Sequence, residues 1–329
     1  MDVTVTPWVT ENTLQYESDW EDFERTRNIT WLISGIVQFI ISLVGLAGNA
    51  VVIWLLAFCM QRNAFSVYIL NLAGADFVCL STHMVVSIMH SVNYSKLDTI
   101  EFLQVFLVVF VFPYIASLSI LSAISTERCL SVLRPIWYRF HRPKHMSFVM
   151  CALLWALSLL LTVLEMESCG LLLGKYDWKL HRTIEFSIAT WLTFSLVLMF
   201  GSSLVLLTRL LFGFQKMKLT RLYVTIGLTV LVFLTCGLPW GISYFFFYWM
   251  LKDFSFKVFA VTSVLTTLNS CANPIIYFFV GFYRHQQRQQ RRSLKIILQR
   301  ALQDVPEEDG RQGSPPQEIL EMSGNIHVA

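Results

Sequence analysis

Apolar residues along this chain fall into long runs separated by short polar stretches. Seven runs reach the ~20 residues needed to cross a bilayer: 31–56, 67–90, 102–126, 146–164, 186–208, 222–251 and 258–283. With His counted neutral, Asp76 is the single formal charge inside them. Barrel strands would be about ten residues long and strictly alternating; these runs are neither. The pattern predicts an all-α membrane protein, a seven-transmembrane helix bundle followed by a short amphipathic helix. It divides the chain into an acidic N-terminal segment (1–30), the bundle (31–283), a membrane-surface helix (284–303) and a disordered tail (304–329).

Composition agrees: 55% of residues are hydrophobic and 14% charged, well below the roughly 25% charged residues of a soluble domain. That charge content excludes disorder throughout and nucleic-acid binding. Seven Cys, most inside apolar runs, do not make a secreted disulfide scaffold. Split by location, the charge also orients the bundle. With the N-terminus outside, seventeen Lys and Arg lie on the inner side and eight on the outer, as the positive-inside rule requires. Fourteen acidic residues lie on the outer side, which nets −6 against +10 inside. The sequons at Asn28 and Asn93 both fall outside. The first 25 residues are polar and acidic, so no cleavable signal is expected and the first span serves as its own.

A carboxylate within a span is costly and marks a candidate site. Asp76 and Ser117 each lie nine residues from the inner end of their spans, and Asn273 nine from Phe282 on span seven, roughly 14 Å at 1.5 Å per residue. Asn269 is one turn from Asn273, with Ser270 beside it. These oxygens suit a small hard cation such as Na⁺, or a proton with waters; a polar network that only locks the helices is the other open reading. Glu127-Arg128 ends span three and reads first as an interfacial anchor. In span seven, Pro274 removes a backbone donor, Asn273 can bond the freed carbonyls and Tyr277 faces inward. Leu238-Pro239 bends span six. Two such bends beside polar residues point to moving helices.

Gly48-Asn49, Leu72-Ala73-Gly74-Ala75-Asp76, Glu127-Arg128-Cys129, Trp155, Pro239 and Asn273-Pro274-Ile275-Ile276-Tyr277 follow in order. Together they resemble the marks of a class A (rhodopsin-like) G-protein-coupled receptor. Asn71-Leu72-Ala73, the run from Ser125 to Leu133, Pro135-Ile136-Trp137-Tyr138-Arg139 and the run from Ala272 to Gly281 resemble the Mas-related receptors, closest to their X-type branch in sensory neurons and mast cells.

That resemblance implies an agonist-driven swing of span six that opens a cytoplasmic cleft for a heterotrimeric G protein, lined by Arg128 and Tyr277. Glu127, Arg128, Asn273, Pro274, Tyr277, Gly237 and Pro239 form the implied switch. Asp76, Ser117, Asn269, Ser270 and Asn273 match the family's sodium pocket, with Na⁺ the candidate cofactor. Gly237 stands where most class A receptors carry Trp, which implies a shallow, open outer vestibule. Glu165, closing span four, and Glu185, opening span five, match a site for a cationic peptide or amine agonist; ordinary interfacial carboxylates are the alternative. Trp240 and Tyr244 could add aromatic faces for cation–π contact. The branch's outer disulfide would join Cys169 to position 181, which is His181 here, so no outer disulfide and a looser second loop are expected. Nothing acidic lies between Lys216 and Thr225, so Arg128 lacks a counter-charge on span six and appreciable basal signalling is expected.

Rival readings are weaker. One intramembrane Asp excludes a two-aspartate protease, no His-Glu-x-x-His motif is present, and span seven lacks a Lys for a retinal Schiff base. An ion channel or transporter using the Asp76 cluster is the main alternative, but spans three and six are apolar above it. After Tyr283, Leu294, Ile297 and Leu298 oppose Arg288, Arg291 and Arg292, which suits a helix lying on the inner leaflet. Scattered hydroxyls at Ser293, Ser314 and Ser323 predict weak arrestin capture. The expected setting is a multi-pass plasma-membrane protein with an extracellular N-terminus.

Overall fold

The computed structural model describes residues 7–59, 64–92, 100–171, 174, 176–212, 221–244 and 256–283. The expected helix over 284–303, the tail beyond it, Asn93 and the end of span six past Tyr244 lie outside the described residues. Nine helices are described: α1 (Pro7–Trp54), α2 (Ala64–Val92), α3 (Ile100–Leu133), α4 (Pro135–Phe140), α5 (Met146–Ser168), α6 (Trp178–Phe212), α7 (Arg221–Val232), α8 (Leu238–Ile242) and α9 (Phe256–Tyr283). No strand occurs among the described residues. The helices α1, α2, α3, α5, α6 and α9 are long and apolar enough to span a membrane. The seventh crossing is built from α7, a π-turn at Phe233–Gly237 and α8. The chain is a seven-helix membrane bundle.

Its burial is inverted relative to a soluble protein. Ile33 and Ile40 on α1, Leu153 and Leu160 on α5, and Phe186 and Phe200 on α6 are exposed, while Gln38, Asn49, Asp76 and Asn273 are buried. Hydrocarbon takes the apolar outer face, and polar side chains pair between helices. Gln38 donates to Ser263 Oγ at 2.9 Å, joining α1 to α9. Trp155 Nε1 donates to Asn71 Oδ1 at 3.0 Å, joining α5 to α2. The helix α3 packs against α2, α5 and α6 and carries the most buried apolar stretch, with Ile115, Ala116 and Ile120 closed from solvent.

Three features depart from a plain reading of the runs. The helix carrying the first span begins at Pro7, well inside the acidic segment; proline at the first helical position loses only a donor that would be unpaired there. Asn28 sits on this helix, half-buried and just ahead of Trp31. Span six widens into its π-turn immediately before Pro239, where the proline ring would otherwise press on the preceding turn. A third proline, Pro113, lies inside α3.

Candidate functional site

Three polar layers lie along the bundle. The first is at the mouth formed by the end of α5 and the start of α6. Glu165 projects from the last turn of α5, which closes through Cys169 N–H to the Glu165 carbonyl at 3.0 Å; Gly170, at φ 77°, then turns the chain. Asp177 caps α6 by accepting the Lys179 and Leu180 backbone N–H groups at 2.9 and 3.2 Å. That cap fixes the register that brings His181 and Glu185, one turn apart, to face α5. His181 Nδ1 lies 3.4 Å from Glu165 Oε1 and its Nε2 3.5 Å from Glu185 Oε1. The two carboxylates thus converge on one imidazole. Both are buried, Glu165 at 2% exposure.

Cys169 is a free thiol, 3.6 Å from His181 Nδ1 and 4.0 Å from Glu165 Oε1. Burial and then the Glu165 charge push it up to about 11, so it is a poor nucleophile. Tyr176 leans on His181 with ring centroids 5.8 Å apart, and its hydroxyl is shifted upward, chiefly by burial.

Below the mouth the structure corrects two expectations. Gly237 does not leave an open vestibule. Phe233 and Asn269 fill that space, since a Cβ on Gly237 would stand 2.8 Å from the Phe233 ring and 3.3 Å from the Asn269 amide carbon, while Tyr114 donates to the Gly237 carbonyl at 3.3 Å. Nor does Trp240 offer a face outward. It is 1% exposed, stacked on Tyr244 at 5.2 Å and packed on Phe110 and Tyr114 at 4.4 and 4.9 Å. Tyr244 is buried with it. These residues form one buried aromatic floor between α3 and span six. His83 packs edge-on against Phe110 at 4.7 Å, and both its ring nitrogens lack a partner among the described residues. A Cβ on Gly241 would lie 2.5 Å from Tyr114 Oη. Gly241→Ala is therefore expected to displace Tyr114 and lower stability by about 1–3 kcal/mol, read as a drop in the thermal midpoint of the purified receptor; an unchanged midpoint would show that the floor is loosely packed.

The second layer surrounds Asp76. Asn273 Nδ2 donates to its Oδ2 at 2.6 Å and Ser117 Oγ to its Oδ1 at 3.4 Å, with Ser270 also bonded to it. Asn273 Oδ1 and the Tyr277 hydroxyl have no partner among the described residues. Asn269, one turn further along α9, faces Gly237 instead of the carboxylate. The oxygens of Asp76, Ser117 and Ser270 and the unpaired Asn273 Oδ1 are a donor set that fits a hard cation. Phe110, Tyr114 and Trp240 are buried and packed on one another.

The third layer is at the far end of α3. Glu127 is buried, not snorkelling: it pairs with Arg142 and accepts from Tyr138 Oη at 2.8 Å, and Arg142 also bonds Ser147. Burial and then the Glu127 charge push Tyr138 up to about 12. The Arg128 guanidinium sits 4.3 Å over the Phe65 ring. Tyr277 is fully buried and lines a narrow crevice with Phe65, Leu121, Ile124 and Thr225. Sequence reasoning missed the bridging role of His181, the Tyr138–Glu127–Arg142 cluster, His83 and the Phe110–Tyr114 floor. Only His83 carried a signal, as a polar ring inside an apolar run.

Seven membrane-crossing helices, a buried carboxylate at mid-depth, an Asn-Pro kink and a Glu-Arg pair at one end together define a rhodopsin-type receptor. Residues 48–277 match the family described as 7 transmembrane receptor (rhodopsin family). Over its whole length the chain is 51% identical to a Mas-related G-protein coupled receptor member X2 from Rhinopithecus bieti, which it covers completely. It is 54% identical over 293 residues to member X1 from Homo sapiens, covering 88% of this chain and 89% of that one. Against the Homo sapiens member X2 the identity is 49%, covering 98% of each. The chain belongs to the Mas-related G-protein-coupled receptors, a family of membrane receptors and not of enzymes.

Proposed function

We propose that this receptor sits in the plasma membrane with its N-terminus outside and responds to cationic peptides or basic amphiphilic amines at the Glu165–His181–Glu185 mouth. One observation carries the reading: two buried carboxylates face the same imidazole, and buried acidic groups are costly unless a positive partner answers them. His181 and the Tyr176 ring resting on it occupy the place an ammonium or guanidinium would take. A docking cation displaces the imidazole and draws α5 and α6 together above the Trp240 floor. Because Tyr114 is bonded to Gly237 beside the span-six bend, movement of that floor reaches α7 directly. Outward movement of α7 then opens the crevice between Tyr277 and Thr225 to a heterotrimeric G protein of the Gq or Gi class. The X-type resemblance supports a role in nociception, itch or mast-cell activation, with arrestin recruitment weak. The test is calcium mobilisation by a panel of cationic peptides and amines against neutral analogues of equal size; equal potency of the two sets would reject the site.

The Asp76 layer supports a sodium site. Asp76, Ser117, Ser270 and Asn273 would hold the ion, which supplies positive charge that favours the closed packing of α2, α3 and α9. Agonist affinity is expected to fall several-fold when NaCl replaces choline chloride, and Asp76→Asn is expected to abolish that difference. Sodium sensitivity that survives Asp76→Asn would place the ion elsewhere.

A further inference from the structure

We propose that Glu165, Cys169 and His181 form a binding site for a zinc ion at the mouth of the bundle, clipping the end of α5 to the start of α6. The three ligand atoms are already spaced as the edges of a coordination tetrahedron. At Zn–N and Zn–O lengths of about 2.0–2.2 Å and Zn–S of about 2.3 Å, tetrahedral edges are roughly 3.3 Å for N–O and 3.6 Å for pairs with sulfur. The structure gives 3.4 Å from His181 Nδ1 to Glu165 Oε1, 3.6 Å from His181 Nδ1 to Cys169 Sγ and 4.0 Å from Cys169 Sγ to Glu165 Oε1. All three atoms lie within 4.8 Å of one another.

Two further observations point to an ion. Glu165 Oε2 has no partner among the described residues although its side chain is almost wholly buried. His181 is also oriented as a zinc-binding His usually is: Nδ1 faces the other ligands while Nε2 can donate to Glu185 Oε1 at 3.5 Å, the second carboxylate that fixes the ring and raises its basicity. Ser168 Oγ, 3.2 Å from the same Nδ1, donates to the Glu165 carbonyl at 2.8 Å and leaves the fourth position to water. A set of one sulfur, one nitrogen and one carboxylate oxygen selects zinc over magnesium or calcium, which take oxygen alone. Cys169 releases its thiol proton to solvent as the metal–sulfur bond forms. Cys169 and His181 are partly exposed, which gives the ion a way in. The site stands on this geometry and not on the choice of agonist.

The experiment uses the full-length receptor, purified without chelator or agonist and titrated with ZnCl₂ and with CoCl₂, against MgCl₂ as control. One zinc per chain is expected, with a raised thermal midpoint that magnesium does not reproduce, and the cobalt form is expected to show thiolate-to-metal charge transfer. Cys169→Ser should abolish that band, His181→Ala should weaken zinc binding more than tenfold, and Glu185→Gln roughly tenfold or more. Cys236→Ser, on the span-six helix, should change nothing. Zinc retention no greater than in a Cys169→Ser/His181→Ala double variant would overturn the proposal. So would bound cobalt without a thiolate band in the wild-type protein, a reading that needs no variant to fold.

Discussion

Glu165→Gln combined with Glu185→Gln is expected to weaken cationic agonists more than any other pair of substitutions in the bundle. A charge-assisted contact contributes about 1.5–3 kcal/mol, equivalent to roughly ten- to hundredfold in potency per carboxylate at 1.4 kcal/mol per decade. The effects should fall short of additive, since both groups face the same His181 edge and neighbours couple. The amide keeps the volume of the acid and one acceptor oxygen, so the loss reports charge and not a cavity. Concentration–response curves at matched surface expression measure it. Unchanged potency for every cationic agonist would mean that the two buried acids are structural.

Glu127→Gln or Arg142→Gln is expected to raise agonist-free signalling several-fold. The sequence offers Arg128 no acid on span six, but the closed arrangement has another restraint: the buried Glu127–Arg142 pair with Tyr138 on the same carboxylate. Removing one partner of a buried pair costs about 3–5 kcal/mol because the other is left uncompensated. The part of that cost borne only by the closed state shifts the two-state balance toward open. Tyr138→Phe deletes one hydrogen bond, worth about 1.5–3 kcal/mol when the acceptor is charged, and should act in the same direction more weakly. Basal G-protein turnover in membranes reads the effect. Equal turnover in all three variants and wild type would assign this cluster to folding alone.

What restrains the Arg128 end of the bundle is only partly legible in the sequence. The family resemblance names span six as the place for a counter-charge to Arg128, and the sequence has none there. The structure instead rests Arg128 on Phe65 and ties its neighbour Glu127 to residues after α3, whose approach depends on how α4 turns the chain back. The surroundings of Gly237 depend on tertiary contacts for a similar reason. Gly237 removes a side chain, but whether the space stays open depends on which neighbours lean into it, and Asn269, 3.3 Å from where a Cβ would stand, belongs to a different helix. The Asp76 layer was legible, since three polar residues at equal depth in apolar spans have no other place to meet; Asn269 failed only because its side chain, one turn away, meets a different helix.

Sequence alone determined the seven crossings, the charge asymmetry between the two ends, the mid-depth polar layer and the family. These follow from hydropathy, charge and motif order, which are properties of the chain read residue by residue. Only the tertiary structure decided that His181 stands between Glu165 and Glu185 with Cys169 alongside, that Trp240 is buried against Phe110 and Tyr114, and that Glu127 is held by Arg142 and Tyr138. His181 and Glu185 share one face of α6, but their meeting with Glu165 and Cys169, like that of Glu127 with Arg142 and Tyr138, joins separate parts of the chain. Helix rotation and crossing set such distances through packing that no linear pattern encodes.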